Sequence, residues 1–306
     1  MPLVSVIIPV YNESENIPEL YRELKANLPP QHEILWIDDG SKDDSLSRIS
    51  LLARHDGSVK CISFSRNFGH QNAIFAGLQY ARGDWFVIMD SDFQHPPSLL
   101  PQMLGKLREG YDLVSAKRNK TENIGLFKKA LTSIYYKLIN FLSDTNIEEN
   151  VADFRVFNSK VKNSILQFNE RELFLRGIFS WIGFKTCYIN FDAPARRHGD
   201  SKYSFSKMFR LGLKGTTSFS FRPLRISLML GTIVSVVAFI LAINSVIAYY
   251  QGRTVPGWAS LMVAVVFLGG IQLLVVGLLG EYIASLFIES KKRPLFLISE
   301  KINIEE

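Results

Sequence analysis

Cysteine is scarce and poorly placed for chemistry: the chain of 306 residues has only Cys61 and Cys187, with no CxxC or Cys/His spacing around either. That excludes a disulfide framework and a zinc ribbon, and leaves two reduced structural thiols as the expectation. The histidines, His32, His55, His70, His95 and His198, fall at no metal-ligand spacing, so zinc is not expected. Equally absent are GxGxxG and GxxxxGKS/T, which removes the main support for a dinucleotide-dependent dehydrogenase or a P-loop kinase. Acids are missing from 206–225, where Lys207, Arg210, Lys214, Arg222 and Arg225 are the ionisable residues. Charge is missing altogether from 226–250 and from 258–280. The opening "MPLVSVIIPVYN" has no basic n-region and no cleavage site, so the segment after it is expected to stay in the cytoplasm.

The two uncharged runs are each long enough to cross the hydrocarbon layer, for which about 20 apolar residues suffice. A buried hairpin of a soluble protein is the alternative. Tyr249, Tyr250 and Trp258 flank the connector "QGRTVPG", as interfacial aromatics do. Arg222 and Arg225 precede the first run, Lys291, Lys292 and Arg293 follow the second, and the connector has only Arg253. By the positive-inside rule both termini are cytoplasmic, in a multi-pass protein of the plasma or inner membrane. The net charge of +6 would suit nucleic acid, a membrane or anionic small molecules. Its concentration beside the spans points to the membrane, and no nucleic-acid partner is expected. In "SFSKMFRLGLKGTTSFSFRPLR", Phe205, Met208, Phe209, Leu211 and Leu213 lie among basic residues, the pattern of an interfacial helix on anionic lipid. A plain linker is the bland reading of that stretch.

The first 120 residues alternate in type. "VSVIIPV", "EILWID", "VKCISF", "WFVIMD" and "DLVSA" read as buried strands. Between them, Glu15–Leu28 and Asp43–Arg54 show helical spacing with polar faces. The class is α/β, with a mostly parallel sheet covered on both faces. Ligands of such sheets bind outside the carboxyl ends of the strands. Three polar clusters fall there: "PVYNESEN", "DDGSKD" and "DSDFQH".

Asp90 and Asp92 repel each other at the end of an apolar strand, and something must offset that. Mg²⁺ or Mn²⁺ takes one or two carboxylates plus phosphate oxygens and keeps several waters. A divalent ion carrying a nucleotide diphosphate therefore explains the arrangement.

Taken in order, "VSVIIPVYNESENI", "DDGSKDDS", "SFSRNFGHQNAIFAGLQYARGD", "MDSDFQHPP", "DFRVF", "FLRGIFSWIGF" and "RRHGDSKYSFSKMFRLGLKG" resemble the motifs of polyprenyl-phosphate glycosyltransferases. These are family 2 enzymes of GT-A fold, related to dolichyl-phosphate mannose synthase and the bactoprenol glucosyl transferases. The resemblance covers nearly the whole chain, and the paired apolar runs match the membrane-anchored bacterial branch. It implies a GT-A domain over 1–204, an amphipathic segment over 205–225 and a first span over 226–250. A connector over 251–258, a second span over 259–288 and a cytoplasmic tail over 289–306 complete the division. It also implies transfer of a hexose, with inversion, from a nucleotide sugar (UDP-glucose, or GDP-mannose) to a polyprenyl phosphate such as undecaprenyl phosphate.

Carried over by position, Pro9, Tyr11 and Glu13 would cradle base and ribose, with Asp38 and Asp39 completing the pocket. A strand end and a packing aromatic are the bland readings of Pro9 and Tyr11. Asp90, Asp92 and Gln94 would hold the metal and diphosphate; Ser91 and Phe93 stand where the family often has Ala and Leu. Arg118, with Lys128 or Lys129, would hold the acceptor phosphate. Asp153 would orient the acceptor or a sugar hydroxyl, or act as a base, while Arg155 is a candidate to pair with it. Arg196, Ser201 and Lys202 would close on the donor phosphates, unless that segment is only a solvated linker. His70, beside a helix start, reads as a capping or packing residue. A homo-oligomer fits the small residues of the spans. Two other functions stay open: a processive polysaccharide synthase, for which "LRGIFSW" is a loose echo of its motif, and a catalytically silent scaffold.

Overall fold

Fully apolar runs such as Val4–Val10 cannot leave either face in water, so they must lie inside a sheet with helices on both sides. In a computed structural model of the chain, residues 2–119, 151–168, 170, 171, 173–192, 222–251 and 257–304 are described. They begin with β1 (Val4–Val10), α1 (Ile17–Asn27), β2 (His32–Asp38), α2 (Ser45–His55), β3 (Val59–Phe64), α3 (His70–Tyr80) and β4 (Trp85–Ile88). There follow α4 (Leu100–Arg108), β5 (Leu113–Arg118), β6 (Val151–Asn158), α5 (Ser159–Ile165), α6 (Leu175–Trp181) and β7 (Thr186–Phe191). Two long helices, α7 (Arg222–Tyr250) and α8 (Trp258–Ser290), precede a final strand, β8 (Ile298–Ile302).

One eight-stranded sheet has the order β7-β5-β6-β4-β1-β2-β3-β8. The pairs β1–β2, β1–β4, β2–β3 and β5–β7 are parallel, while β4–β6, β5–β6 and β3–β8 are antiparallel. The sheet is thus mostly parallel, as expected. However, β5 does not continue the parallel run beside β4, because β6 returns antiparallel between them. Nothing in 289–306 signals a strand, yet β8 closes the β3 edge.

The alternation along β1 assigns its two faces. Val4, Val6, Ile8 and Val10 join Leu20 and Leu24 of α1 and Met103 and Leu104 of α4 in one buried cluster. Ile7 faces the other way, against α3, and packs so tightly on Gly77 that an added Cβ there would lie 2.2 Å from the Ile7 Cγ2. Ile7 is itself fully buried and has nowhere to retreat. Gly77→Ala should therefore destabilise by about 1–3 kcal/mol from overpacking, despite a gain of about 1 kcal/mol in helix propensity. A lowered thermal midpoint of the detergent-solubilised chain would show it; an unchanged midpoint would mean that Ile7 yields.

Helices α7 and α8 carry the two uncharged runs. Their most apolar windows, Leu224–Leu241 and Phe267–Ser290, have mean hydropathies of 2.3 and 2.0 and are not buried. A core helix of a soluble protein would be buried, whereas Phe239 is 68% and Leu273 74% exposed. Both helices are long and apolar enough to cross a membrane. Lys128, Lys129, Arg196, Ser201, Lys202, the connector 252–256 and the interfacial segment as far as 221 lie outside the described residues.

Candidate functional site

The carboxyl ends of β1, β2 and β4 lie side by side, so the loops that follow them share one edge of the sheet. Pro9 is buried in β1 opposite Ile37. After Val10 the chain turns through Asn12, whose φ of +55° is in the left-handed region that Asn tolerates better than most residues. That turn is stitched to the turn after β2. Asn12 N donates to Ser41 Oγ at 3.0 Å, Lys42 N to Asn12 Oδ1 at 2.8 Å, and Glu13 N to Ser45 Oγ at 3.0 Å. Glu13 in turn accepts from Asn16 Nδ2 at 2.6 Å.

Asp38 and Asp39 are 1% and 3% exposed and serve the loops themselves. Asp38 accepts from Ser41 N at 3.0 Å and from Ser63 Oγ at 2.7 Å. Asp39 accepts from Phe68 N at 2.6 Å and Gly69 N at 2.9 Å. Burial raises the Asp39 pKa, and the two N–H donors work against that rise. The pair therefore fixes the turns after β2 and β3, while Tyr11 and Glu13, in the neighbouring turn after β1, are both half-buried.

Beyond β4, the segment Asp90–His95 folds back on itself. Phe93 adopts φ +61°, unusual for a bulky side chain and affordable here because the ring is buried. Asp90 N donates to His95 Nδ1 at 2.9 Å, which places the proton of a neutral His95 on Nε2. His95 is wholly buried and stacks on Phe154 with centroids 5.3 Å apart. Burial lowers its pKa, against the pull of Asp90 and Asp92. Excluded as a zinc ligand on spacing, His95 is the peg that shapes the acidic loop.

His70 corrects its capping or packing assignment. It opens α3, and its Nε2 lies 2.8 Å from Asp90 Oδ1. Burial of the Asp90 carboxyl would raise its pKa, but His95 and His70 more than offset that and hold it well below the usual carboxylate range. Asp92, 8% exposed, accepts from Gln94 N at 3.1 Å. Gln94 Oε1 accepts from Arg118 Nη2 at 3.1 Å, bringing the end of β5 to the same loop. The buried Nε of Arg118 has no partner among the described residues, so this guanidinium keeps unused hydrogen-bonding capacity.

Asp153 pairs with Arg176 of α6 rather than with Arg155. The fork is bidentate, Nε to Oδ1 at 2.9 Å and Nη2 to Oδ2 at 2.7 Å. Burial pushes the Asp153 carboxyl up, and the Arg176 charge overrides it, leaving the pKa lowered. A carboxylate held on both oxygens and stabilised as the anion is a poor proton acceptor near neutral pH. Arg155 instead stacks over Phe179 at 4.3 Å.

Among the described residues no group of three His, Cys, Asp or Glu side chains makes a self-sufficient metal cage. Asp90, Asp92 and Gln94 do supply hard oxygen donors from one short loop, the donor type that Mg²⁺ or Mn²⁺ takes when substrate phosphates complete the shell.

Comparison with known proteins adds the family context. The model described as glycosyl transferase family 2 matches residues 5–166, and that of the GtrB C-terminal hairpin matches 222–286. A prophage bactoprenol glucosyl transferase homolog of Escherichia coli K12 is 42% identical over 299 residues, 96% of this chain and 98% of its own length. The bactoprenol glucosyl transferase of Shigella phage SfV is 41% identical over 302 residues, 97% and 98% of the two chains. Among solved structures, glucosyl-3-phosphoglycerate synthase from Mycobacterium tuberculosis, in complex with Mg²⁺ and UDP, superposes with a TM-score of 0.53 at 17% identity. The match covers 71% of this chain and 77% of that one. Staphylococcus aureus TarS with UDP-GlcNAc gives 0.50 at 19% identity, over 71% and 66%. At such identities the likeness speaks for the fold, which is GT-A.

Proposed function

This chain belongs to glycosyl transferase family 2 and is a membrane-associated glycosyltransferase, and we propose that it moves glucose from UDP-glucose to a polyprenyl phosphate at the cytoplasmic membrane face. The observation that carries this reading is the meeting of Asp90, Asp92 and Gln94 with Arg118 at the carboxyl edge of the sheet. Anionic donor phosphates and an anionic acceptor both need such a mixed edge. The names of relatives at 41% and 42% identity support glucose and a bactoprenol acceptor.

The nucleophile is a phosphate monoester, already ionised near neutral pH, so no strong general base is required. Its oxygen attacks the anomeric carbon as the bond from that carbon to the nucleotide diphosphate breaks. The configuration inverts, and UDP departs. A divalent ion held by Asp90, Asp92 and Gln94 would supply charge neutralisation at the departing diphosphate. Tyr11 and Glu13, in loops fixed by Asp38 and Asp39, hold the nucleoside. Arg118, with Lys128 or Lys129, brings the acceptor phosphate against the donor despite their mutual repulsion. Arg196, Ser201 and Lys202 close over the donor phosphates. Asp153, anchored by Arg176, serves as an orienting group rather than a base. The basic residues Arg222 and Arg225 at the start of α7, and Lys291, Lys292 and Arg293 after α8, support a topology with both termini in the cytoplasm.

The test is direct. Membranes containing the chain are given labelled UDP-glucose, Mg²⁺ and undecaprenyl phosphate. Label should enter an acid-labile, chloroform-soluble monosaccharide lipid. Label in a long polymer would replace the proposal with a processive synthase, and no transfer from any nucleotide sugar would leave a silent scaffold.

A further inference from the structure

The strand that follows the second apolar helix does more than cover a sheet edge. Strand β8 pairs antiparallel with β3, Cys61 opposite Ile302 and Ser63 opposite Glu300. The register then shifts between Ser63 and Phe64, so that Phe64 meets Ile298. Past the end of β3 the pairing continues, with Ser65 N donating to Leu297 O at 3.0 Å. At that point Phe296 stacks on Phe64, centroids 4.9 Å apart and rings 13° from parallel. Phe64 in turn meets Phe68 edge-on at 5.8 Å.

Phe68 and Gly69 are the residues whose N–H groups Asp39 accepts. From the opposite side, Gly40 (φ +68°) presses on the same loop, and a Cβ there would lie 2.5 Å from the Arg66 carbonyl carbon. Residues 65–69 are thus gripped between the "DDG" turn and the C-terminal strand. The loop leads straight into α3, where His70 reaches Asp90 at 2.8 Å.

We propose that Phe296, stacked on Phe64, is a positioning residue for the nucleotide site: it holds loop 65–69 where its amides meet Asp39 and where His70 meets Asp90. This rests on the reading that these loops receive the nucleoside diphosphate. An edge strand that only blocked aggregation would need neither the ring stack nor the register shift aimed at that loop.

The experiment uses the full chain in detergent, with Phe296→Ala, Phe296→Tyr and, as the control at the far end of β8, Ile302→Ala. Ile302 packs partly buried on the core and touches none of the loop contacts above. Amide exchange across 65–69 should quicken at least about tenfold in Phe296→Ala and recover in Phe296→Tyr. UDP affinity, titrated with Mn²⁺ present, should weaken about five- to tenfold in Phe296→Ala. Ile302→Ala should lower the thermal midpoint while leaving both readings within twofold of the parent. Unchanged exchange in Phe296→Ala, or an equal change in Ile302→Ala, would overturn the proposal. If the parent chain bound no UDP, the donor-site reading would fall, while the exchange measurement would still decide the clamp.

Discussion

Asp92→Ala is expected to abolish sugar transfer, with turnover down at least about a thousandfold and the fold retained. Charge stabilisation by a metal at a departing diphosphate is worth several kcal/mol, and about 1.4 kcal/mol corresponds to a tenfold change in rate. Retention of the fold follows from what shapes the loop. Its turn is fixed by the Asp90 N to His95 Nδ1 bond at 2.9 Å, the His95–Phe154 stack and the buried Phe93 ring. The substitution alters none of these three contacts, although it does remove the Asp92 Oδ1 acceptor of Gln94 N. Transfer rate and thermal midpoint, measured side by side, check the claim. Near-normal turnover in a folded variant would remove Asp92 from the metal site.

Arg118→Ala should separate the two substrates. Losing a charge-assisted hydrogen bond costs roughly 1.5–3 kcal/mol, so the KM for the lipid phosphate should rise about 10- to 100-fold. UDP affinity should stay within twofold. Arg118 also donates to Gln94 Oε1 at 3.1 Å, so an indirect route must be distinguished. Gln94→Ala provides the comparison. If Arg118 acted only by holding Gln94, the two variants would show the same profile, with the nucleotide affected as much as the lipid. A rise confined to the lipid KM in Arg118→Ala places its guanidinium on the acceptor side.

Much of the fold was legible because its elements have strong local patterns. The apolar strands β1 to β4 end close to their expected limits, and α1 and α2 begin and end within two residues of the helical spacing. The long uncharged runs could hardly be anything but α7 and α8. The insertion of β6 between β4 and β5 was not legible, since antiparallel pairing across more than thirty residues of chain leaves no local trace. Nor was β8: "ISEKI" has three exposed central residues, as an edge strand has, and lacks the apolar alternation that marks a half-buried one.

Within the site, the acidic pair stood out by its place after a buried strand, while its neighbours did not. Arg155 is two residues from Asp153 on the same face of β6, near in sequence but with its side chain standing parallel rather than converging. Arg176 approaches from α6, docked on α3 through the Leu175 N to Gln71 Oε1 bond at 3.0 Å, and so meets the carboxylate head-on. His70 and His95 escaped for a related reason. Each acts on Asp90 from a position set by tertiary packing, and no spacing rule encodes that.

The most direct test of the central claim is a Mn²⁺ titration of the purified chain followed by electron paramagnetic resonance, with and without UDP. The free-ion signal should be lost to about one equivalent of protein when UDP is present, and Asp90→Asn with Asp92→Asn should leave that signal in solution. Equal uptake of Mn²⁺ and UDP by parent and double variant would contradict the account.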